Sequence, residues 1–473
     1  MRKAEVIDIA ARAEQTIFVG KDILELLSSS MYVNPLTIYR EYVQNSADAI
    51  DEAVATGLLG STADGAIEIA LDHLNRSVTI RDNGAGLANS DFARKMLSFG
   101  ASAKRGTDAR GFRGVGRLSG LGYVQELVFR SRASGDPKVL EAVWDGRVIK
   151  RLLTSTATDT ALQALVEQSV TLQEANAEDH PSHFFEVELR KPRRIANDRL
   201  LNEAEIEFYL AQIAPCPFSP DFSYGLEIEE LLSPFDRAGK SYNVYLAGSD
   251  TPIYRPYRDT VHFAETKSTS LRELKTFEVE GLDGDLAAIG WFIHHDYQGA
   301  IPTSQGVRGL RARVGNIQVG TDRVFSEVFP EERFSSWSIG EVHILEPRVV
   351  PNGRRDEFET NTHLENIFLH LRPTTAEVAR ECRVSSQRRN RIKAFDLAAG
   401  KIGEKLEIVR QGAISQRYKK EMMAEIGSLL GEMERAAGFE LFDDEEEAEL
   451  RARLEEIRTI VDEYATNTGG DAL

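Results

Sequence analysis

Nine of the chain's 36 glycines fall within the 39 residues from Gly84 to Gly122. Glycine weakens both helix and strand interiors, so backbone this rich in it must turn, move or approach something closely. The flanking pattern is regular. Ala66–Leu71 and Ser77–Arg81 read as two short strands joined by a turn at Asn75-Arg76. Upstream, Ile23, Leu26 and Leu27, then Ile38, Tyr42, Val43 and Ile50, recur at helical spacing, interrupted at Asn34-Pro35, with Thr37 the expected cap of the second helix.

That second helix carries a polar stripe. Glu41 and Asn45 are four residues apart and Asp48 is three further, so all three share one face. A carboxylate–amide–carboxylate row on a helix face needs a reason, and a bound Mg²⁺ with a polarised water supplies one. Asp82, Gly84 and Gly86 then follow directly on a strand: a carboxylate at a strand end can accept from an exocyclic amine, and the glycines let backbone approach a flat base. Gly111-Phe-Arg-Gly114-Val115-Gly116 opens a helix expected at Arg117, and glycine-rich N–H groups at a helix start form a phosphate site. Each motif alone is a common turn. In this order and spacing they point to one nucleotide.

These motifs make the chain resemble the GHKL ATPases, the superfamily of gyrase-type topoisomerases, heat-shock chaperones, histidine kinases and MutL-type repair proteins. Arg40-Glu-Tyr-Val-Gln-Asn45-Ser-Ala-Asp48-Ala49 is similar to R-E-L-I-x-N-x-x-D-A of the ninety-kilodalton heat-shock chaperones, and Leu97–Thr107 is similar to their lid segment. Val350-Pro-Asn-Gly-Arg354-Arg355-Asp356 resembles their middle-domain L-P-L-N-x-S-R-E. The resemblance implies ATP and Mg²⁺ as ligands, a Bergerat-type two-layer α/β sandwich and a homodimer. It implies Glu41 as the base orienting water, Asn45 on the metal, and Asp48 beside it. It further implies Asp82 on the adenine amine, Gly84, Gly86, Gly111, Gly114, Val115 and Gly116 as the backbone cradle, Lys104 in the lid, and Arg355 reaching the γ-phosphate. Two departures stand out: Ser182-His183 replaces the family's Gly-Thr pair, so that either Ser182 substitutes for the hydroxyl at the nucleotide or adenine recognition is altered, and only ten residues separate Gly100 from Gly111, a shorter lid than the chaperones have.

At 473 residues, three domains are expected. The boundaries read as an α/β ATP-binding domain over 1–195, a helix and Pro-rich linker over 196–220, a second, S5-like α/β domain over 221–371, a helical region over 372–465 and a frayed tail over 466–473. The net charge of −18 disfavours all-over binding of nucleic acid or anionic membrane. It conceals a split, however. Residues 372–420 hold 13 basic and 5 acidic side chains, whereas 421–473 hold 4 and 16. Two distant cysteines, Cys216 and Cys382, exclude a disulfide framework, and no apolar run reaches the ~18 residues of a membrane helix, so a reduced, cytoplasmic protein is expected.

His294-His295-Asp296 is not read as a metal site, because neighbours on a strand point to opposite faces, and His363 is not read as a phospho-acceptor. The expected function is an ATP-hydrolysing, chaperone-like protein. Its rivals are a nucleic-acid-linked ATPase of MutL or microrchidia type, with the basic segment 372–420, Arg388, Arg389 and Arg391 among it, as its contact, and a non-hydrolysing nucleotide-dependent scaffold.

Overall fold

The computed structural model describes residues 34–97, 116–154, 162–194, 197–438, 441–442 and 444–466. The helix expected around Ile23–Leu27, the lid with Lys104, and Gly111, Gly114 and Val115 lie outside the described residues, as does the tail beyond Thr466.

The first unit comprises α1 (Thr37–Ala55), β1 (Ala66–Asp72), β2 (Ser77–Asp82), α2 (Asn89–Leu97), β3 (Glu126–Arg132), β4 (Val139–Asp145), α3 (Gly146–Thr154), α4 (Leu162–Ser169), β5 (Val170–Ala175), β6 (Phe184–Arg190) and α5 (Glu203–Ile213). Its strands form one sheet in the order β5-β4-β3-β6-β2-β1-β7. The seventh strand, β7, belongs later in the chain (Asn243–Leu246) and pairs parallel to β1. Its position in the chain, past the Pro-rich linker, predicts a strand of the second domain. Its side chains Val244 and Leu246 instead complete the core built by α1 and β1–β6.

Alternation along each strand sets the two faces. Ile67 and Ile69 on β1, Val78 and Ile80 on β2, Leu127 and Phe129 on β3, and Val187 and Leu189 on β6 face the helices and form one core with Tyr39, Tyr42, Val43 and Ala47 of α1. The opposite face carries charge, with Arg130 paired to Glu141 (2.5 Å), Glu186 (2.6 Å) and Glu188 (2.8 Å). The result is a two-layer α/β sandwich. Two local expectations differ. Thr37 is the first helical residue and not the cap; Asn34 Oδ1 accepts from Leu36 N nearby. The helix expected at Arg117 is a 3-10 helix, Gly116–Gly122, as suits backbone interrupted by three glycines.

The second unit contains α6 (Gly225–Leu232), β8 (Thr260–Ala264), β9 (Lys267–Ser270), β10 (Glu273–Glu280), β11 (Leu286–His294), β12 (Gly309–Val314), β13 (Ile317–Val319) and β14 (Ile339–Ile344). Five strands pair in the order β10-β11-β14-β12-β13. β11 is buried along nearly its whole length because both faces are covered. Ala288 and Phe292 pack on one side, Ile289, Trp291 and Ile293 on the other.

Inside this sheet lies a fully buried ion cluster. Glu341 is paired with Arg255 (2.6 Å) and Arg313 (2.5 Å) and accepts from Tyr257 (3.0 Å). The arginines also bond the carbonyls of Cys216 (2.9 Å) and Gln212 (2.9 Å), so the cluster fastens the Pro-rich connection to the second sheet. Burial opposes ionisation of Glu341, but the two guanidinium groups outweigh it and hold the carboxyl well below its ordinary value. Glu341→Gln strands two buried cations. The expected loss is about 3–5 kcal/mol, read as a lowered urea midpoint for the tryptophan fluorescence of the second unit.

The C-terminal region is helical: α7 (Thr362–Gln411), α8 (Gln416–Ala436) and α9 (Asp444–Thr466). The sequence predicts a break near Leu371, but the helix runs through Pro373. Leu371, Thr375, Val378 and Ala379 on either side of the proline are buried against the second sheet, and Thr375 Oγ1 donates to Val328 O (2.8 Å). That packing offsets a local penalty of about 3 kcal/mol. Gly412, at φ +71, ends the helix. The basic and acidic stretches meet here: Arg388 pairs with Glu446, and Arg453 with Asp396 (2.7 Å).

Candidate functional site

The site is built where α1 crosses the sheet. On β2 the core-facing row Val78, Ile80 continues to Asp82, so the last residue of the strand places a carboxylate where an apolar side chain would otherwise pack. Asp82 is 2% exposed. Burial pushes its carboxyl up to about 7, against the opposing effect of hydrogen bonds from Ser46 of α1, Gly84 N and Phe185 N. The Gly84 bond measures 3.0 Å.

Two glycines after Asp82 are required by close approach. A Cβ at Gly84 would lie 2.6–2.8 Å from the backbone and side chain of Ala49, and Ala85 N donates to Ala49 O (3.0 Å). Gly86 has φ +67, and a Cβ there would meet Arg132 O at 2.1 Å. His183 Nδ1 donates to Gly84 O (3.0 Å), and Ser131 Oγ accepts from Leu87 N (2.8 Å) while donating to Phe184 O (2.9 Å). Ser182 itself is exposed. The hydroxyl that reaches Asp82 is that of Ser46, which the sequence reading passed over although it lies between Asn45 and Asp48. Its signal was available: Ser46 is four residues beyond Tyr42, on the core face of α1.

Glu41 lies a turn and a half before Ser46 on α1 and is 6% exposed. Its Oε1 accepts from Arg40 Nη2 at 3.3 Å and lies 3.6 Å from Arg355 Nε, while Gly116 packs so closely that a Cβ there would sit 2.4 Å from Oε2. Asn45 and Asp48 follow on the same face and are half-buried. The Tyr42 hydroxyl donates to Arg117 O (3.0 Å) and accepts from Gly120 N (3.2 Å), which ties the end of the glycine segment to α1.

Arg355 comes from the second unit, 314 residues after Glu41. It sits in a turn bridged by Pro351 and Phe358, with a left-handed backbone at φ +57. Arg355 N donates to Asn352 O (3.1 Å), Gly320 N donates to Arg355 O (2.9 Å), and Arg40 donates to the Arg354 carbonyl (3.2 Å). The strained turn is therefore fixed from both units.

The other polar groups singled out in the sequence have structural partners. His294 Nδ1 hydrogen-bonds the Tyr297 hydroxyl (2.6 Å) and His295 Nε2 donates to Trp337 O (2.8 Å). His363 lies 3.7 Å from Glu346. Among the described residues no group of three or more His, Cys, Asp or Glu side chains could hold a metal ion. No described helix is long and apolar enough to cross a membrane.

Residues 35–175 match the family of histidine kinase-, DNA gyrase B- and HSP90-like ATPases. That segment holds Glu41, Asn45, Asp48, Asp82 and all the cluster glycines. The chain is also similar to proteins named chaperone protein HtpG: 30% identical over 129 residues to that of Clostridium acetobutylicum, 33% over 137 to that of Coxiella burnetii, and 29% over 133 to that of Nocardia farcinica. In each case 24% of this chain is covered, and 20–21% of the relative, so the similarity spans about a fifth of those proteins.

Proposed function

We propose that this chain, whose residues 35–175 form a histidine kinase-, gyrase B- and HSP90-like ATPase domain, hydrolyses ATP and uses the second unit to complete the catalytic centre, as a chaperone-like protein. The observation that carries this reading is the approach of Arg355 to within 3.6 Å of Glu41 across the two units.

In this reading Asp82, ionised, accepts from the adenine amine, and Gly84 and Gly86 let the base lie on the backbone. Glu41 accepts the proton of the attacking water. Arg355 stabilises charge developing on the transferred phosphoryl group, where positioning and charge do most of the work. Mg²⁺ fits the donors present: the half-buried Asn45 amide supplies one oxygen, Asp48 stands beside it, and phosphate and water oxygens complete a shell of the kind this ion prefers. When bound, it would neutralise phosphate charge. Glu41 starts out held by Arg40 and Arg355, so catalysis requires at least one arginine to release it toward the nucleotide.

The proposal extends to a homodimer in which ATP binding closes a lid and docks the second unit. ATPase turnover measured across protein concentration tests this. A specific rate that rises with concentration and collapses in Arg355→Ala supports it; a concentration-independent rate untouched by Arg355→Ala overturns it.

The nucleic-acid rival is weakened by the partners that three arginines of its basic segment already have. Arg388 is paired with Glu446, Arg389 donates to Tyr297 O (2.6 Å) and stacks over Trp337, and Arg391 donates to Gly438 O (3.0 Å). Duplex DNA should show no binding beyond the ~10⁻⁴ M of a weak non-specific contact at physiological salt. Micromolar affinity with a steep salt slope, in a filter-binding assay, would restore the rival.

A further inference from the structure

A cleft of about 330 Å³ opens along the seam where α1 and α5 meet β12, β13 and the turn carrying Arg355. Thr37, Arg40, Arg311, Gln318, Arg354 and Arg355 line it; Glu41 does not. The cleft is at the small end of the range for ligand sites, about 300–1,000 Å³.

Arg311, on β12, is the informative residue. It is 4% exposed, yet its hydrogen bonds all go to neutral oxygens. Nε donates to Arg308 O (3.2 Å), Nη1 to Gln318 Oε1 (2.8 Å), and both Nη1 and Nη2 to Gln212 Oε1 (3.3 Å). Two carboxylates share the lining: Asp322 is held by Arg308 at 2.5 Å, and Asp356 accepts from Asn352 Nδ2 at 2.7 Å. Burial pulls the Arg311 guanidinium below its ordinary value, and the nearby Tyr257, Asp322 and Glu341 offset this only in part. By contrast, the buried Arg255 and Arg313 share the Glu341 carboxylate. A buried cation among neutral acceptors, opening on a cleft, is a place where an anion gains more than it loses in water.

The donors come from three separate elements: Thr37 and Arg40 from α1, Arg311 from β12, and Arg354 with Arg355 from the turn. A tetrahedral oxyanion offers oxygens in more than one plane to such a set, whereas a carboxylate offers one plane, and guanidinium forks match phosphate edges. We propose that this seam cleft is a second anion site, distinct from the nucleotide pocket, that takes inorganic phosphate or a related phosphate-class oxyanion against Arg311. The ion could reach it from solution or from ATP cleavage next door, since Arg40 and Arg355 border both places. Either way, an occupied cleft would hold the two units together.

The test is titration of the full chain with sodium phosphate, at constant ionic strength and with ADP saturating, followed by calorimetry and thermal unfolding. Wild type should bind phosphate at millimolar concentration or better and unfold at a higher temperature. Arg311→Gln should weaken phosphate binding by about tenfold or more, and Arg354→Ala, a change at an exposed side chain, by severalfold, both with ADP affinity retained. No binding at about 10 mM, or binding indifferent to both substitutions, overturns the proposal. A phosphate-sensor single turnover separates the sources. If release relative to cleavage changes in Arg354→Ala, hydrolysis feeds the site; if release is unchanged while titration is weakened, the ion comes from solution. If no ATP is hydrolysed at all, the ATPase reading fails while the titration still decides the cleft.

Discussion

Replacing Glu41 with alanine is expected to lower ATP turnover by about 10²-fold or more while leaving ATP binding nearly intact. The carboxylate is 6% exposed, and its only close cationic neighbours among the described residues are Arg40 and Arg355. It lies on the stretch of α1 that faces Gly116, and not beside Asp82, which the proposal assigns to the base. Removing it therefore takes away a proton acceptor without touching base recognition. It also leaves two partly buried guanidinium groups facing each other, so Glu41→Gln is the necessary companion. The amide keeps the shape and some of the hydrogen bonding but cannot take a proton. If both variants bind ATP and neither turns it over, the role is chemical. If Glu41→Gln hydrolyses ATP at the wild-type rate, Glu41 is a structural counter-ion, and the scaffold rival, which tolerates its loss, gains ground.

Nucleotide recognition should depend on pH through Asp82. Its carboxyl, pushed by burial up to about 7, is partly protonated at neutral pH in the free protein. The sign follows directly. A folded-state value above that of the unfolded chain means stability is fullest below about pH 4 and declines as pH rises through 7, by an amount on the order of 4 kcal/mol in full. Binding runs the other way. Only the ionised form is a pure acceptor for the adenine amine, so affinity for ADP should rise up to pH 7 and level off above it. A 6-oxopurine diphosphate presents a carbonyl at that position, which the protonated carboxyl can donate to. The preference for ADP over inosine diphosphate should thus fall by up to about tenfold per unit below pH 7, and the ratio cancels titration of the phosphates themselves. Asp82→Asn should cost about 10–100-fold in ADP affinity, the worth of a charge-assisted hydrogen bond, and remove the pH dependence. A preference that stays flat from pH 6 to 8 in wild type would place the base elsewhere.

Much of the first unit was legible because its signals are local. Strand alternation in Ile67–Ile69 and Val78–Ile80 and the i, i+4, i+7 stripe of Glu41, Asn45 and Asp48 depend on periodicity alone. So do the glycines, since Gly86 needs φ +67 whatever surrounds it. Less was legible where a partner distant in sequence decides. Tyr242–Leu246 carries an ordinary strand pattern, and nothing within it says that its edge pairs with β1. Pro373 reads as a helix end, and only the buried faces of Leu371 and Thr375 explain why it is not. His183 and Ser46 touch the Asp82–Gly86 segment through bonds 99 and 36 residues apart in sequence.

The sequence by itself determined which atoms are available: a carboxylate at a strand end, a polar row on one helix face, glycines where a side chain could not fit. These follow from the 2.0- and 3.6-residue periods and from sterics within a few residues. Only the tertiary structure decided what those atoms meet. It brought Arg355 to Glu41 across 314 residues, put Ser46 and not Ser182 on Asp82, and left Arg311 buried among neutral oxygens at a cleft. Contacts of that kind are set by how two packed units fit together. Charge and burial at a given side chain depend on neighbours that no local pattern encodes.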